Sequence, residues 1–310
     1  MTESKAPIPS EPSQKQPKAG IPAQQGKPNR RRFLQRTLLS GLGILGAGSV
    51  YGVWEAAQIR VRRQRIALPN LPSAFAGKTI ALLADFHHGP LVGIAYIQEA
   101  VRMTNALVPD IIALVGDFAH NREHTRKRMG PCLEALSQLH APMGVFAVPG
   151  NHDMEEGGRI YREMIRTTPL TDLSNRSVYL TIGGEHLWLA GIDDLRCGVP
   201  NLRAALRGIT GRNAVILLSH NPDLAEEQPD SRVGLILSGH THGGQINFPL
   251  LGPLRLPSRY GTKYRAGLVQ GPASQVFISC GLGTTALPIR MNCPPEINLL
   301  TLVSPESSIP

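Results

Sequence analysis

From about Lys78 onward, short apolar runs alternate with amphipathic or polar stretches, the pattern of an α/β protein. The apolar, β-prone runs predict strands at Thr79–Ala84, Asp110–Val115, Val145–Val148, His186–Gly191, Ala214–Ser219, Val233–Ser238, Val276–Cys280 and Ile297–Leu302. Helices are predicted at Ile94–Leu107, Glu123–His140, Glu156–Thr167 and Leu202–Arg207. Loops join the later strands more often than helices do, so a purely parallel doubly wound sheet fits poorly. The expected fold is α/β, with two mixed β-sheets packed as a sandwich and flanking helices outside. No internal repeat is visible, and one catalytic domain is expected over residues 78–305, entered through a linker at 55–77.

The leader has a different pattern. Residues 1–29 are rich in Pro, Gln and Lys and predict disorder. Arg30-Arg31-Arg32-Phe33-Leu34-Gln35 then matches the twin-arginine export pattern of two arginines, any residue, Phe, Leu and a polar residue. From Thr37 to Trp54, 18 residues carry no charge and five are Gly. Such a stretch can just span a bilayer at about 1.5 Å rise per residue. Residues 30–54 therefore fit both a cleaved signal, with Ala47-Gly48-Ser49 as a small-residue site, and a retained anchor. Either way the expected location is the periplasm or the outer face of the cell membrane. The twin-arginine export machinery and the membrane surface are the expected partners, with Arg60, Arg62, Arg63 and Arg65 placed to meet anionic headgroups.

The net charge of +9 invites a nucleic-acid reading, which its distribution removes. Residues 1–65 hold 12 of the 32 basic residues and 3 of the 23 acidic ones, leaving the rest balanced at 20 and 20. A nucleic-acid binder concentrates Lys and Arg on the domain itself, interleaved with stacking aromatics, so no nucleic-acid partner is expected. The four cysteines (Cys132, Cys197, Cys280, Cys293) show no CxxC spacing, so a zinc ribbon or redox motif is not supported. Cys280 and Cys293 flank one loop and are the only pair suited to a disulfide; free buried thiols are the plainer expectation.

Five segments carry the chemistry: Asp85-Phe86-His87, Gly116-Asp117, Gly150-Asn151-His152-Asp153, His220 and Gly239-His240-Thr241-His242. Each follows an apolar run and so stands at the expected carboxyl end of a strand. Carboxylate and amide oxygens mixed with imidazoles suit a site for two divalent ions. Two such ions can clamp the attacking and leaving oxygens of an in-line displacement at phosphorus. Singly placed histidines are ordinary surface or packing residues, and His88, His120, His124, His140 and His186 are not expected as ligands. Two glycine patterns mimic a dinucleotide fingerprint. Gly41–Gly46 lies in the export segment with no strand before it, and Gly281–Ala286 runs into Pro288 where no helix can start.

The ordered set resembles the calcineurin-like metallophosphoesterase superfamily over residues 78–302. With the leader, the run Gly239-His240-Thr241-His242-Gly243-Gly244-Gln245 and the late Gly281-Leu282-Gly283-Thr284-Thr285, it is most similar to exported bacterial phosphodiesterases of the YaeI/YkuE type. The resemblance implies that Asp85, His87 and His242 bind a first metal and Asn151, His220 and His240 a second, with Asp117 bridging. Manganese, iron, zinc and nickel all suit such donors. Charge counting agrees with the composition. Two divalent ions, the Asp85 and Asp117 carboxylates and a bridging hydroxide leave one net positive charge to attract an anionic ester. The hydroxide is the expected nucleophile, His152 the expected acid for the leaving oxygen, and Asp153 the expected orienter of His152.

Beyond the last His pair, Ile246–Pro257 is an unusually apolar loop, followed by Arg259, Lys263 and Arg265. It reads either as packing over the domain or as a lid that meets acyl chains. The expected substrate is a phosphodiester, lipid-linked or membrane-associated. The alternatives are a general phosphomonoesterase on soluble metabolites and a non-catalytic, metal-containing surface protein.

Overall fold

The computed structural model describes residues 2, 48–120, 125–155 and 158–305. The twin-arginine pattern, the first part of the uncharged stretch and His124 lie outside the described residues. The chain divides into Met1–Gly46 and Ala47–Pro310, and the second unit carries every element below.

In chain order the strands are β1 (Arg60–Ala67), β2 (Thr79–Leu83), β3 (Ile111–Val115), β4 (Val145–Val148), β5 (Thr171–Asp172), β6 (Arg176–Ile182) and β7 (Glu185–Gly191). They continue as β8 (Ala214–Leu218), β9 (Leu235–Ser238), β10 (Asn247–Phe248), β11 (Gly252–Pro253), β12 (Gly267–Gln270), β13 (Gln275–Ile278) and β14 (Glu296–Val303). The helices are α1 (residues 48–56), α2 (Ile94–Ala106), α3 (Thr125–Leu136), α4 (Asn151–Met154), α5 (Arg159–Ile165), α6 (Leu202–Ala205) and α7 (Leu224–Glu227).

Two six-stranded mixed sheets form, ordered β1-β14-β2-β3-β4-β5 and β12-β13-β9-β8-β7-β6. In the first, β2 to β5 run parallel, while β14 opposes β2 and carries β1 parallel to itself. In the second, β7, β8, β9 and β13 run parallel, with β6 and β12 as antiparallel edges. The expected pair of mixed sheets is what forms.

The period-two alternation of strand side chains explains the layering. Ile80 and Leu82 of β2, Ile111, Ala113 and Val115 of β3, Ile216 and Leu218 of β8, and Leu235 and Leu237 of β9 fill the space between the sheets. Their neighbours Ala81, Leu83, Ile112 and Leu114 face α2 and α3 instead. Val215, Leu217 and Ile236 face the opposite side, under α6 and α7. Strands buried on both faces read as continuous apolar runs, which is why these were legible.

Six strands were not predicted (β1, β5, β6, β10, β11 and β12), and two of them are long. The linker expected at 55–77 contains β1, an edge strand paired with β14 along its whole length. Its outward arginines hide the strand pattern, and Arg62 Nε meets Glu296 Oε2 at 2.6 Å. Charged side chains on an edge also block pairing with another chain. The second, β6, forms a hairpin with β7 through Gly183-Gly184, both at positive φ (56° and 85°). A two-residue Gly-Gly loop between apolar runs is the hairpin signal that locates it.

Candidate metal centre

The five segments meet where the carboxyl ends of both sheets come together. Asp85 and His87 follow β2, Asp117 follows β3, Asn151 follows β4, His220 follows β8, and His240 and His242 follow β9. Asp85, His87, Asp117, His240 and His242 all have φ between 47° and 70°. Non-glycine residues rarely hold this left-handed conformation, and they persist in it where the surroundings over-determine them at functional sites.

The side chains form one continuous cluster. His87 Nε2 lies 3.0 Å from His242 Nε2, which is 3.4 Å from Asp85 Oδ1. Asp117 Oδ2 stands 3.4 Å from His87 Nε2 and 3.3 Å from His220 Nε2, between the two halves of the set. His240 Nδ1 lies 3.2 Å from His220 Nε2. His220 Nδ1 is 2.7 Å from the Val115 carbonyl, which turns Nε2 inward and fixes the ring.

Ionisation in this cluster is conflicted. Burial pushes the Asp85 carboxyl up to about 7, against the pull of His220. Burial also works against charge on Asp117, but His220, His152 and His87 outweigh it and hold that carboxyl well below its ordinary range. Burial works against the charged form of His220, yet Asp117 raises that imidazole to about 10. Burial keeps His87 and His242 well below their usual value and, with the charge of His220, takes His240 to about 3. Asn151 Oδ1 and His242 Nδ1 are buried without a hydrogen-bond partner. Crowded imidazoles, buried carboxylates and an orphaned amide oxygen are donors suited to divalent ions, and all seven predicted ligand residues fit that role.

The surroundings hold these donors in place. Asp153 is at the N3 position of α4, and its Oδ2 accepts from the Gly150 amide at 2.8 Å and the Asp117 amide at 2.7 Å. Its Oδ1 accepts from the Phe118 amide at 3.0 Å. The expectation that Asp153 orients His152 is therefore corrected: its carboxylate braces the β3 and β4 loops. Glu155 Oε1 is the carboxylate oxygen that lies near His152 Nδ1, at 3.3 Å.

Close backbone approach explains the glycines. A Cβ on Gly281 would lie 2.6 Å from Asp85 Cβ, so the false dinucleotide pattern is a wall against the Asp85 loop. A Cβ on Gly150 would lie 2.2 Å from Asp117 Oδ1. Gly150→Ala is expected to displace that carboxylate, weakening metal binding at least about tenfold and costing about 1–3 kcal/mol of stability. Metal titration beside thermal unfolding checks both; wild-type affinity in the variant would contradict the placement of Asp117.

The sequence reading missed three contributors. His120 was set aside, but its Nδ1 lies 3.4 Å from His87 Nδ1 and its ring packs against His152. Arg290 is fully buried and donates to the carbonyls of Cys280, Gly283 and Cys293, tying together the loop behind Asp85. Gln245 Nε2 donates to the carbonyls of Thr285, Leu287 and Ile289, fixing a second loop. His120 and Gln245 lie far in sequence from the groups they meet, so local pattern carries no sign of them. No disulfide forms among the described residues; Cys132, Cys280 and Cys293 are buried thiols, as the plainer expectation had it, whereas Cys197 is exposed, and Cys293 Sγ contacts the His242 carbonyl at 3.1 Å.

The cluster opens into a cavity of about 490 Å³. Its lining includes Asp117, Asn151, His152, His240 and His242 together with Ile246, Leu254, Ala286, Leu287 and Arg255.

Comparison with known proteins agrees with this site. Residues 78–244, which span the first four segments and the last, match the calcineurin-like phosphoesterase family. The chain is 33% identical over 284 residues to YkuE of Bacillus subtilis, an uncharacterized metallophosphoesterase, covering 90% of this chain and 99% of that one. It is 30% identical over 282 residues to the phosphodiesterase YaeI of Escherichia coli, covering 89% and 99%. A transmembrane protein with a metallophosphoesterase domain from Bos taurus is 31% identical over 273 residues, spanning 82% of this chain and 60% of its own length. With the family match lying over the whole donor cluster, and relatives aligned almost end to end, this chain belongs to the calcineurin-like phosphoesterases and is a metal-dependent phosphoester hydrolase.

Proposed function

We propose that the chain is a two-metal phosphodiesterase that works outside the cytoplasm on lipid-linked or membrane-associated phosphoesters. The observation that carries this reading is the cavity, whose lining combines metal-donor residues with apolar side chains and the cation of Arg255. Asp85, His87 and His242 would hold one ion, Asn151, His220 and His240 the other, and Asp117 would serve both. Divalent ions there, of manganese, iron, zinc or nickel, activate water at neutral pH and offset charge at phosphorus.

The chain's own residues do the rest. The ester's phosphate faces the donor residues, and its apolar substituent lies along Ile246, Leu254 and Leu287. Arg255 has no charged partner among the described residues and meets a second anionic group. His152 lines the cavity with Nδ1 turned to Glu155, which leaves its other nitrogen to give a proton to the leaving oxygen. The export pattern at Arg30–Gln35 and the uncharged stretch after it support action outside the cytoplasm. Among the described residues no helix is long and apolar enough to cross a membrane.

Asn151 gives an oxygen without adding negative charge. Asn151→Asp removes the net positive charge of the loaded centre, and kcat/KM is expected to fall on the order of tenfold. Steady-state kinetics test this; an unchanged kcat/KM contradicts the charge argument.

A substrate panel on purified, metal-supplemented protein tests the function. Lipid phosphodiesters dispersed in detergent are expected to turn over about tenfold faster than small aryl diesters, and diesters faster than the matching monoesters. Faster monoester turnover favours a general phosphomonoesterase, and bound metal without turnover favours a binding protein. Lipid diesters turned over no faster than small soluble ones would remove the lipid part of the reading.

A further inference from the structure

We propose that the mouth of the metal cavity is a membrane-docking face, in which Val50, Val53 and Trp54 of α1 and Leu250, Leu251 and Leu254 of the β10–β11 hairpin enter the headgroup layer of an anionic bilayer. This rests on the membrane-side reading above and adds the surface that delivers the substrate.

The two segments form one face because both pack on the same strip, residues 289–293. On α1, a Gly52 Cβ would lie 2.9 Å from Ile289 Cβ, a Gly48 Cβ would lie 3.7 Å from Met291 Cε, and Glu55 Oε2 accepts from the Cys293 amide. Positions 48, 52 and 55 thus make the inner side of the helix, while Val50, Val53 and Trp54 stay exposed. On the hairpin, the Asn247 amide donates to the Met291 carbonyl, and Ile246 bridges to Met291. From there Leu250 projects fully, Leu251 is 85% exposed, and Leu254 turns from the cavity wall to its rim.

Most of the exposed large apolar side chains of the described residues fall on these two segments and the adjoining Leu287. A contiguous apolar patch of this kind marks an interaction site, whereas single exposed residues carry no such meaning. A hairpin tip of Pro249-Leu250-Leu251 and a tryptophan beside it suit the interfacial layer, where amphipathic rings and short apolar side chains partition.

Charge and chain continuity favour lipid over a second copy of this chain. Arg255 stands at the rim, and exposed arginines open β1 directly after α1. Anionic headgroups pair with these, whereas a second copy would set arginine against arginine. In the sequence, Val50, Val53 and Trp54 belong to the uncharged stretch Thr37–Trp54.

Fluorescence in the full chain tests the proposal without requiring turnover. A Leu250→Trp reporter is placed in a Trp54→Phe chain, leaving Trp188 as the internal reference. Vesicles of phosphatidylglycerol and phosphatidylethanolamine are prepared with and without bromine on the acyl chains. The expected result is quenching of the reporter signal by about half in brominated vesicles, with the Trp54→Phe parent unchanged. Leu250→Asp/Leu251→Asp is expected to slow hydrolysis of a vesicle-borne phosphodiester about tenfold while a soluble aryl diester is cleaved at the wild-type rate. An unquenched reporter on chains that sediment with vesicles overturns the proposal, as does a chain that stays in the supernatant. A lipid-free dimer dissolved by the double substitution also overturns it, assigning the face to self-association. Quenching without lipid hydrolysis supports docking and counts against the lipid substrate alone.

Discussion

Asp117→Asn is expected to lower kcat/KM by on the order of a thousandfold or more, about 4 kcal/mol of transition-state stabilisation, and to lower metal content with it. Asp117 Oδ2 stands within 3.4 Å of both His87 and His220, and no other carboxylate oxygen in the cluster faces both halves of the donor set at that range. Its Oδ1 accepts from the His152 amide at 2.9 Å, so the residue also sets the start of α4. Asparagine preserves size but gives one neutral oxygen where two charged ones stood. Elemental analysis beside a diesterase assay reads both effects. Full metal occupancy with full turnover would show that Asp117 serves neither ion.

His152→Ala is expected to leave the metals in place and to lower kcat by about 10²–10⁴-fold for substrates with poor leaving groups. The loss shrinks when the leaving group is an acidic phenol, because such an oxygen departs without a proton. That dependence separates proton donation from a packing role, since misplacement of the substrate would slow all esters alike. Glu155 Oε1 stands 3.3 Å from His152 Nδ1, so Glu155→Gln is expected to give a weaker form of the same pattern. Equal losses across leaving groups would contradict the acid role.

Much of this was legible because the site is built at the ends of strands that the sequence marks strongly. The runs Ile111–Val115 and Ala214–Leu218 are apolar on both faces, and the polar residue that follows each is forced out at the carboxyl edge. The run after β4 was legible too, but Asp153 was given the wrong partner. Adjacency along the chain suggested His152, whereas an N3 carboxylate in a one-turn helix naturally reaches back to the N-cap amide. What stayed hidden depends on contacts distant in sequence. Gln245 meets the carbonyls of Thr285, Leu287 and Ile289, and His120 reaches His87 only because the β2 and β3 loops run side by side, with the His120 amide bonded to the His88 carbonyl. The β1 strand was hidden by composition, since arginines on a paired edge resemble a basic linker.

The most direct test is metal stoichiometry read together with turnover on one preparation. The full chain is stripped by chelator, then titrated with a single divalent metal while bound metal and diester hydrolysis are followed together. Two equivalents per chain are expected, with hydrolysis rising only as the second binds and vanishing again on chelation. Saturation at one equivalent, or hydrolysis that survives complete removal of metal, would contradict a two-metal phosphodiesterase.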